Sequence, residues 1–566
     1  MSTNEVNEHV LAAGNKSGQV FTLLTEAAAR WPERPAVTYQ GVTQTWHETL
    51  LRCRAQASVF AQAGIERGDR VAYLGFNSNV CFEGYFAPPA IGAVFVPLNF
   101  RLAIGELIEC LDDCTPRLLI CEPAFYSQAL ALLDACASVS CVFVTGSALD
   151  FDNAKQHGVE ISGAIQKLPN EMHSLEARIA EIIAGSAFVA EQPSAFEETL
   201  ILFYTGGTTG RSKGVMLSNK NFLCNTSGSV PLYKMQDGWC FLIVGPLFHI
   251  AAGARIFSCA VLGGHAIILP KFDVPEVLES IANYRINSAT LVPTMFQMLI
   301  DNPLFATADL SSMQMVASGA APMPMALQHR VIKAFAGINL YQTYGMTEAA
   351  PIVTSLDSKY HVVSGPGSEK LGSVGKPAPH VQLRIIDEQG DDLPTGETGE
   401  VLARGDNIMT GYWNLPEQTE VALKDGWYHT GDAGYIDAEG FLFLEGRVKD
   451  MIVSGGENIY PIEIENVLSS HPAVHQCAVI GVPHETWGEA VHAVILLEDS
   501  VSEPPTEREL ITYCREKIAT YKCPVSVSFR SEPMPLSPIN KILKTELRKP
   551  LWEGRSSAPV EPGRRG

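Results

Sequence analysis

The sequence predicts an α/β protein: a large N-terminal domain of α/β subdomains with parallel sheets, a β-rich subdomain within it, and a small α+β C-terminal domain. Three observations carry this expectation. Strand-like and helix-like runs alternate through residues 69–145 and again through 265–336, an order that builds parallel sheets. Short strand-like runs at Leu383–Asp387, Gly399–Arg404 and Gly440–Glu445 are spaced by Gly, Asp and Pro turns, as in antiparallel β structure. Roughly one hundred residues of mixed α and β pattern then close the chain, enough for a second domain.

Taken in order, Val20–Trp31 has the apolar spacing of a helix, and Pro35–Tyr39 with Val42–Trp46 reads as a hairpin turning at Gly41. Val71–Leu74, Val80–Ile91 and Ala93–Pro97 form a βαβ unit, its helix interrupted at Pro88-Pro89. Arg117–Cys121, Pro123–Ala135 and Ser140–Thr145 repeat the pattern. Phe151–Glu198 is polar and carries no motif; a helix over Met172–Ala184 and a surface insertion or subdomain edge are expected. Strands at His265–Leu269, Ser288–Val292 and Met313–Ala317 alternate with helices at Val274–Tyr284, Thr294–Ile300 and Met323–Ala336. Near the end, Pro461–Ser469 reads as a helix and Cys477–Ile480 and Ala490–Leu497 as strands. Thr506–Ala519 reads as a helix opened by a Thr506/Glu509 capping box.

The stretch Tyr204-Thr-Gly-Gly-Thr-Thr-Gly-Arg-Ser-Lys-Gly214 suits a polyphosphate. Gly206, Gly207, Gly210 and Gly214 allow close backbone approach, so successive N–H groups can face one anion. Thr205, Thr208, Thr209 and Ser212 add hydroxyls, while Arg211 and Lys213 add positive charge. A plain surface loop has the same composition. The order excludes a Walker A loop, which needs Gly before its Lys and Ser or Thr after it; Lys213 lies between Ser212 and Gly214.

Ligands gather outside the carboxyl ends of strands in such sheets, which directs attention to the segments after them. His249 sits among apolar neighbours in Gly245–Ile250, either packed in the core or functional. Gly319, Ala320 and Ala321 follow a strand and precede a helix, where backbone can face a flat ring or an anion. In Tyr341–Glu348, Tyr344 can stack on a base, Thr347 can donate to phosphate and Glu348 can hold Mg²⁺. Asp432, in Trp427–Asp432, can accept two ribose hydroxyls or simply make an Asp-Gly turn. Lys541 falls on a Pro-bounded loop before a short amphipathic helix.

Composition sets limits on function. Apolar residues at 46% and charged residues at 18% describe a globular chain. A formal charge of −21 argues against nucleic-acid or anionic-membrane binding. Met1–Ser17 has no basic stretch leading into an apolar one, so no signal peptide is expected, and no apolar run reaches the ~18 residues of a transmembrane helix. Thirteen cysteines without a CxxC pair fit a reducing cytoplasm and no structural metal, with Cys110 and Cys114 as buried small hydrophobes.

These strings, in this order and over most of the chain, resemble the adenylate-forming family of acyl-CoA synthetases, nonribosomal-peptide adenylation domains and firefly luciferase. The Gly446–Glu465 stretch and Lys541-Ile-Leu-Lys544 are most similar to fatty-acyl and aryl CoA ligases. The resemblance implies an N-terminal domain (1–446) that binds ATP and a carboxylic acid, a hinge (447–450) and a mobile C-terminal lid (451–552); the tail (553–566), rich in Pro, Gly, Arg and Ser, is expected to be disordered. It implies Thr205–Lys213 on the β- and γ-phosphates and Thr347 on the α-phosphate. Gly319, Ala320, Ala321, Tyr344 and Gly345 would surround adenine, and Asp432 and Arg447 would hold the ribose. Glu348, with Thr205, would hold Mg²⁺. Lys541 would bring carboxylate and α-phosphate together, and His249 is expected with Lys541, Thr347 and Glu348 among the catalytic residues. Lys449 would be the pivot, and Gly455, Gly456 and Glu457 would face a pantetheine tunnel for CoA.

The chain departs from the family's pattern at Ser212, where Pro is common, at Gly207, where Ser is common, and at Asn540, where Gly usually precedes the lysine. Gly253 stands where some long-chain members carry a gating Trp, which implies an open entrance. The expected activity is ATP-dependent ligation of a fatty or other apolar acid to CoA. Aryl acids, transfer to a carrier protein and a non-catalytic nucleotide-binding role are the alternatives. Nucleic-acid partners and an integral membrane segment are not expected, and a homodimer is compatible with the sequence.

Overall fold

The computed structural model describes residues 19–145, 172–206, 212–455, 457–498, 501, 503–536 and 542–552. Two compact units divide the chain: 1–320 with 332–383 and 403–428 in the first, and 321–331, 384–402 and 429–566 in the second. Among the described residues no helix is long and apolar enough to cross a membrane.

The first unit holds two large sheets. One runs, in spatial order, 376–377, 352–356, 339–345, 315–318, 288–291, 240–243, 265–268, 35–39 and 42–45. Its interior pairs are parallel, and both margins are antiparallel. The other runs 411–412, 213–218, 199–205, 94–97, 70–74, 118–121, 141–144 and 172–174, parallel from Thr199–Thr205 onward. Wholly buried strands such as Val94–Pro97 and Leu118–Cys121 show why these segments read as continuous apolar runs rather than alternating ones. Cys110 and Cys114 lie in this sheet's core, and all thirteen cysteines are free thiols.

Most expected elements form with ends shifted by a residue or two. Val20–Arg30 is helical, and Pro35–Tyr39 pairs with Val42–Thr45. The next strand, Arg70–Leu74, leads into a helix only six residues long, Asn79–Gly84, because Pro88 and Pro89 remove two backbone donors. The helix expected at Met172 starts instead at Leu175, capped by Ser174, and Met172–Ser174 joins the sheet edge beside Cys141–Val144. This segment is part of the scaffold: Glu176 and the fully buried Glu83 both receive hydrogen bonds from Arg52. Residues 146–171 of the proposed insertion lie outside the described residues. The helices Trp46–Gln62, Asn219–Leu232 and Ile250–Val261 carry mixed or uniformly apolar faces, and the first opens with a Thr45/Glu48 capping box.

Asn77 joins the two sheets where their strands end. Its Nδ2 donates to the carbonyls of Gly245 (2.9 Å) and Leu269 (3.1 Å), and its Oδ1 accepts from Leu247 N at 2.7 Å. The carboxyl ends of both sets of parallel strands therefore converge, which is where ligands bind in α/β folds.

The second unit contains most of a β-rich sheet, including Gly399–Arg404, Trp427–Ile436 and Leu442–Arg447, and an α+β body. In that body the long hairpin Val474–His484/Gly488–Leu497 packs with helices Pro461–Ser469, Glu507–Arg515 and Lys544–Trp552. Ile464, Leu468, Val479, Ile495 and Leu510 form its core, and the Thr506/Glu509 capping box is present. Cys477–Ile480 is thus part of a much longer strand, and the helix expected to reach Ala519 ends at Arg515. The tail 553–566 lies outside the described residues.

Candidate active site

Strand Thr199–Thr205 and strand Lys213–Ser218 form an antiparallel hairpin whose last rung pairs Thr205 with Lys213. The apolar half of each strand is buried, so the polar stretch begins where the sheet ends. Gly206 is exposed, and a side chain there would meet nothing nearby. Gly207, Thr208, Thr209 and Gly210 lie outside the described residues, as does Arg211. The base of the hairpin is held firmly: Tyr204 Oη donates to Asp113 Oδ2 at 2.7 Å, and Trp413 N donates to Gly214 O at 2.7 Å.

Strand Asn339–Gly345 ends beside Met315–Ser318, its parallel neighbour. Tyr344 is buried, and Ala320 adopts a positive φ of 67° in the turn after Ser318. Gly345 has a steric reason: a Cβ there would collide with the Pro351 carbonyl. Thr347 and Glu348 follow in a single 3₁₀ turn, Thr347–Ala349. Buried Asn407 supports that turn by donating to Ala349 O (2.7 Å) and Ile352 O (3.1 Å), while Met409 N donates to Glu348 O at 2.8 Å.

Tyr412 brings the two segments together. Its hydroxyl donates to Glu348 Oε1 at 3.0 Å, and Lys213 Nζ stands over its ring, 4.8 Å from the centroid. Buried Tyr428 joins them: burial first, then Glu348, Tyr412 and Tyr344, push its phenol well above the ordinary tyrosine range. Thr205, Lys213, Tyr344, Thr347 and Glu348 are thereby attached to one framework. Neither Tyr412 nor Tyr428 was singled out from sequence; an aromatic pair after glycine in Thr410-Gly-Tyr-Trp413 was the available signal.

His249 has a structural task. Its Nδ1 accepts from Ala251 N at 3.3 Å and caps helix Ile250–Val261, and burial pulls its pKa down to about 4. The ring is therefore neutral near pH 7. At Gly253 there is no room for a side chain, because a Cβ there would collide with the Tyr85 hydroxyl. Tyr85 is fully buried, and its hydroxyl donates to Leu247 O at 2.5 Å.

In the second unit Asp432 and Arg447 are direct cross-strand partners, with Arg447 Nε 2.8 Å from Asp432 Oδ1. Thr430 organises both: its Oγ1 accepts from Asp432 N (3.0 Å) and donates to Val401 O, while its carbonyl accepts from Arg447 Nη1 at 3.0 Å. Lys449 lies in the 3₁₀ turn Val448–Asp450. Gly455, at φ 62°, and exposed Glu457 sit at the turn between Ile452–Ser454 and Glu457–Ile459, and Gly456 lies outside the described residues. Lys541 also lies outside them; the described residues on either side, Leu536 and Ile542, are joined by an antiparallel bridge.

Residues 24–413 match the family described as AMP-binding enzyme, more than half of the chain. The chain is an AMP-binding enzyme. A second match, to the AMP-binding enzyme C-terminal domain, covers residues 463–541 and ends on Lys541. Relatives of this AMP-binding enzyme include a feruloyl-CoA synthase of an Amycolatopsis species, 36% identical over 92% of this chain and 96% of the relative. An indoleacetate–CoA ligase of Aromatoleum aromaticum is 36% identical over 87% and 90%. Among solved structures, ATP-bound MatB from Rhodopseudomonas palustris aligns with a TM-score of 0.81 at 27% identity, covering 94% of this chain and 99% of that one. The enzyme is accordingly an acid–thiol ligase of the acyl- or aryl-CoA type.

Proposed function

We propose that this enzyme uses ATP to activate an apolar carboxylic acid as its acyl-adenylate and then transfers the acyl group to CoA. The observation that carries the reading is the joining of Lys213 and Glu348 through Tyr412, with Thr205 on the rung opposite Lys213. In the first step a carboxylate oxygen attacks the α-phosphorus, and the bond to pyrophosphate breaks. Two anions must meet, so fixed positive charge and N–H donors are needed between them. Lys213 and the loop before it would hold the β- and γ-phosphates, and Thr347 the α-phosphate. Lys541 would span carboxylate and α-phosphate. Glu348 suits Mg²⁺, which takes one or two carboxylates together with substrate phosphates. Bound Mg²⁺ would supply positive charge to the phosphate oxygens.

Tyr344 with Gly319 and Ala320 would receive adenine, and the Asp432 carboxylate the ribose hydroxyls. In the second step the CoA sulfur attacks the acyl carbonyl and AMP leaves. Residues 447–450 would act as the hinge, exchanging Lys541 for the Gly455–Glu457 segment between the two steps. Neutral His249 and the apolar residues that follow it would flank the acid. The feruloyl and indoleacetate relatives support aromatic acids as much as fatty ones.

The test is pyrophosphate release with ATP and Mg²⁺ over a panel of fatty, branched, aryl and amino acids, with and without CoA. Release confined to apolar acids, with CoA consumed, is expected. Adenylation without thioester formation, or a preference for amino acids, overturns the proposal.

A further inference from the structure

We infer that Tyr412 is a positioning residue for metal-bound nucleotide, setting the Glu348 carboxylate through its hydroxyl and the Lys213 ammonium through its ring. The inference rests on the reading of Glu348 and Lys213 given above, and it assigns a role to a side chain that does not itself hold metal or phosphate.

The backbone gives Tyr412 little freedom. Gly411 and Tyr412 form a two-residue strand paired with Met216 and Val215, two residues beyond Gly214 on the phosphate hairpin. Tyr412 N donates to Thr419 Oγ1 at 2.9 Å. Gly411 has a φ of 151°, and a Cβ there would press on the Thr419 side chain at 2.7 Å. The side chain is 8% exposed, so its hydroxyl needs a partner, and it finds Glu348 Oε1 at 3.0 Å. On one side the hydroxyl sets the rotation of a carboxylate, a group whose two oxygens offer about four acceptor positions. On the other, the ring quadrupole attracts Lys213 Nζ at 4.8 Å, leaving the ammonium hydrogens able to meet phosphate oxygens.

The two functions separate by substitution. Tyr412→Phe keeps the ring and loses only the hydroxyl; Tyr412→Leu loses both. Calorimetric binding of α,β-methylene-ATP, with and without Mg²⁺, then distinguishes them without turnover, beside melting curves for every variant. Tyr412→Phe should weaken binding of the Mg²⁺ complex by roughly 10- to 100-fold, the scale of one hydrogen bond to a charged group, and leave metal-free nucleotide unchanged. Tyr412→Leu should also weaken the metal-free nucleotide. Glu348→Gln should weaken the Mg²⁺ complex, and Tyr412→Phe in that background should add nothing, because the two act in series.

A global packing defect would weaken both nucleotide forms together in Tyr412→Phe, and that outcome overturns the inference. So does an additive double variant, or a Tyr412→Phe enzyme that binds the Mg²⁺ complex normally while Glu348→Gln does not. Normal Mg²⁺-complex binding by Glu348→Gln removes the metal reading of Glu348 itself, and the role of Tyr412 falls with it.

Discussion

Asp432 and Arg447 occupy the same rung of two antiparallel strands, and the guanidinium Nε lies 2.8 Å from the carboxylate. The Arg447 fork also reaches the Thr430 carbonyl, so its position depends on both the pair and the backbone. Replacing Asp432 by Ala should lower kcat/KM for ATP by roughly 10- to 100-fold, as expected for loss of hydrogen bonds to a charged group, with little change in KM for the acid. Steady-state kinetics with each substrate varied in turn measures this. An unchanged ATP dependence would remove Asp432 from the nucleotide site.

Lys541→Ala should slow pyrophosphate release by at least roughly 100-fold, the cost of losing one preorganised donor at developing charge. Conversion of separately prepared acyl-adenylate to thioester should persist. Lys449→Pro should do the reverse, since a fixed φ at the proposed pivot opposes rotation. Assaying the half-reactions separately tests both, and equal losses in each would rule out the exchange of two lids.

Gly345 faces the Pro351 carbonyl with no room for a methyl group. Gly345→Ala should therefore cost about 1–3 kcal/mol of stability through overpacking, seen as a lower denaturant midpoint. It should also disturb nucleotide binding, because Met346 N donates to that same carbonyl at 3.0 Å, immediately before Thr347 and Glu348.

Burial pulls His249, His265, His361 and His380 down to about 4 each. Their pKa values are near 6.5 in the unfolded chain, so between those limits the unfolded state binds more protons. Stability is thus full above pH 6.5 and falls as pH drops toward 4. For His265, whose Nε2 lies 2.7 Å from Thr38 Oγ1, the upper limit is ~3 kcal/mol, reduced by its partial exposure. His265→Gln should flatten the pH dependence of the unfolding midpoint across this interval; an unchanged slope would show that its protonation is not coupled to folding.

Elements that carry their own punctuation were legible in the sequence. Pro and Gly bounded the strands, the Thr506/Glu509 pair marked a helix start, and the glycines around Lys213 marked the hairpin end. Relationships that depend on distant chain segments were not. Asn77 looks like any loop asparagine until two other strand ends supply its acceptors. Gly253 gives no hint in the sequence that Tyr85, far away along the chain, occupies the place a side chain would take. Glu176 sits in a stretch without a motif, and only the fold sets it on Arg52 beside buried Glu83. Tyr412 was missed for the same reason, because its meaning comes from Lys213 and Glu348 together.

The strand carrying Lys213 would, without Gly411 and Tyr412, be the margin of a seven-stranded sheet, with Gly214 and Met216 offering unpaired carbonyls to solvent. Two rungs and the Trp413–Gly214 hydrogen bond cover that margin, and Trp413 and Asn414 fasten the cover to the Asp113 carbonyl. Open edges invite pairing between molecules, and a very short covering strand is one of the ways proteins discourage it. The segment that brings Tyr412 to the site therefore also guards against self-association, so damage to it should appear as aggregation during expression as well as lost catalysis.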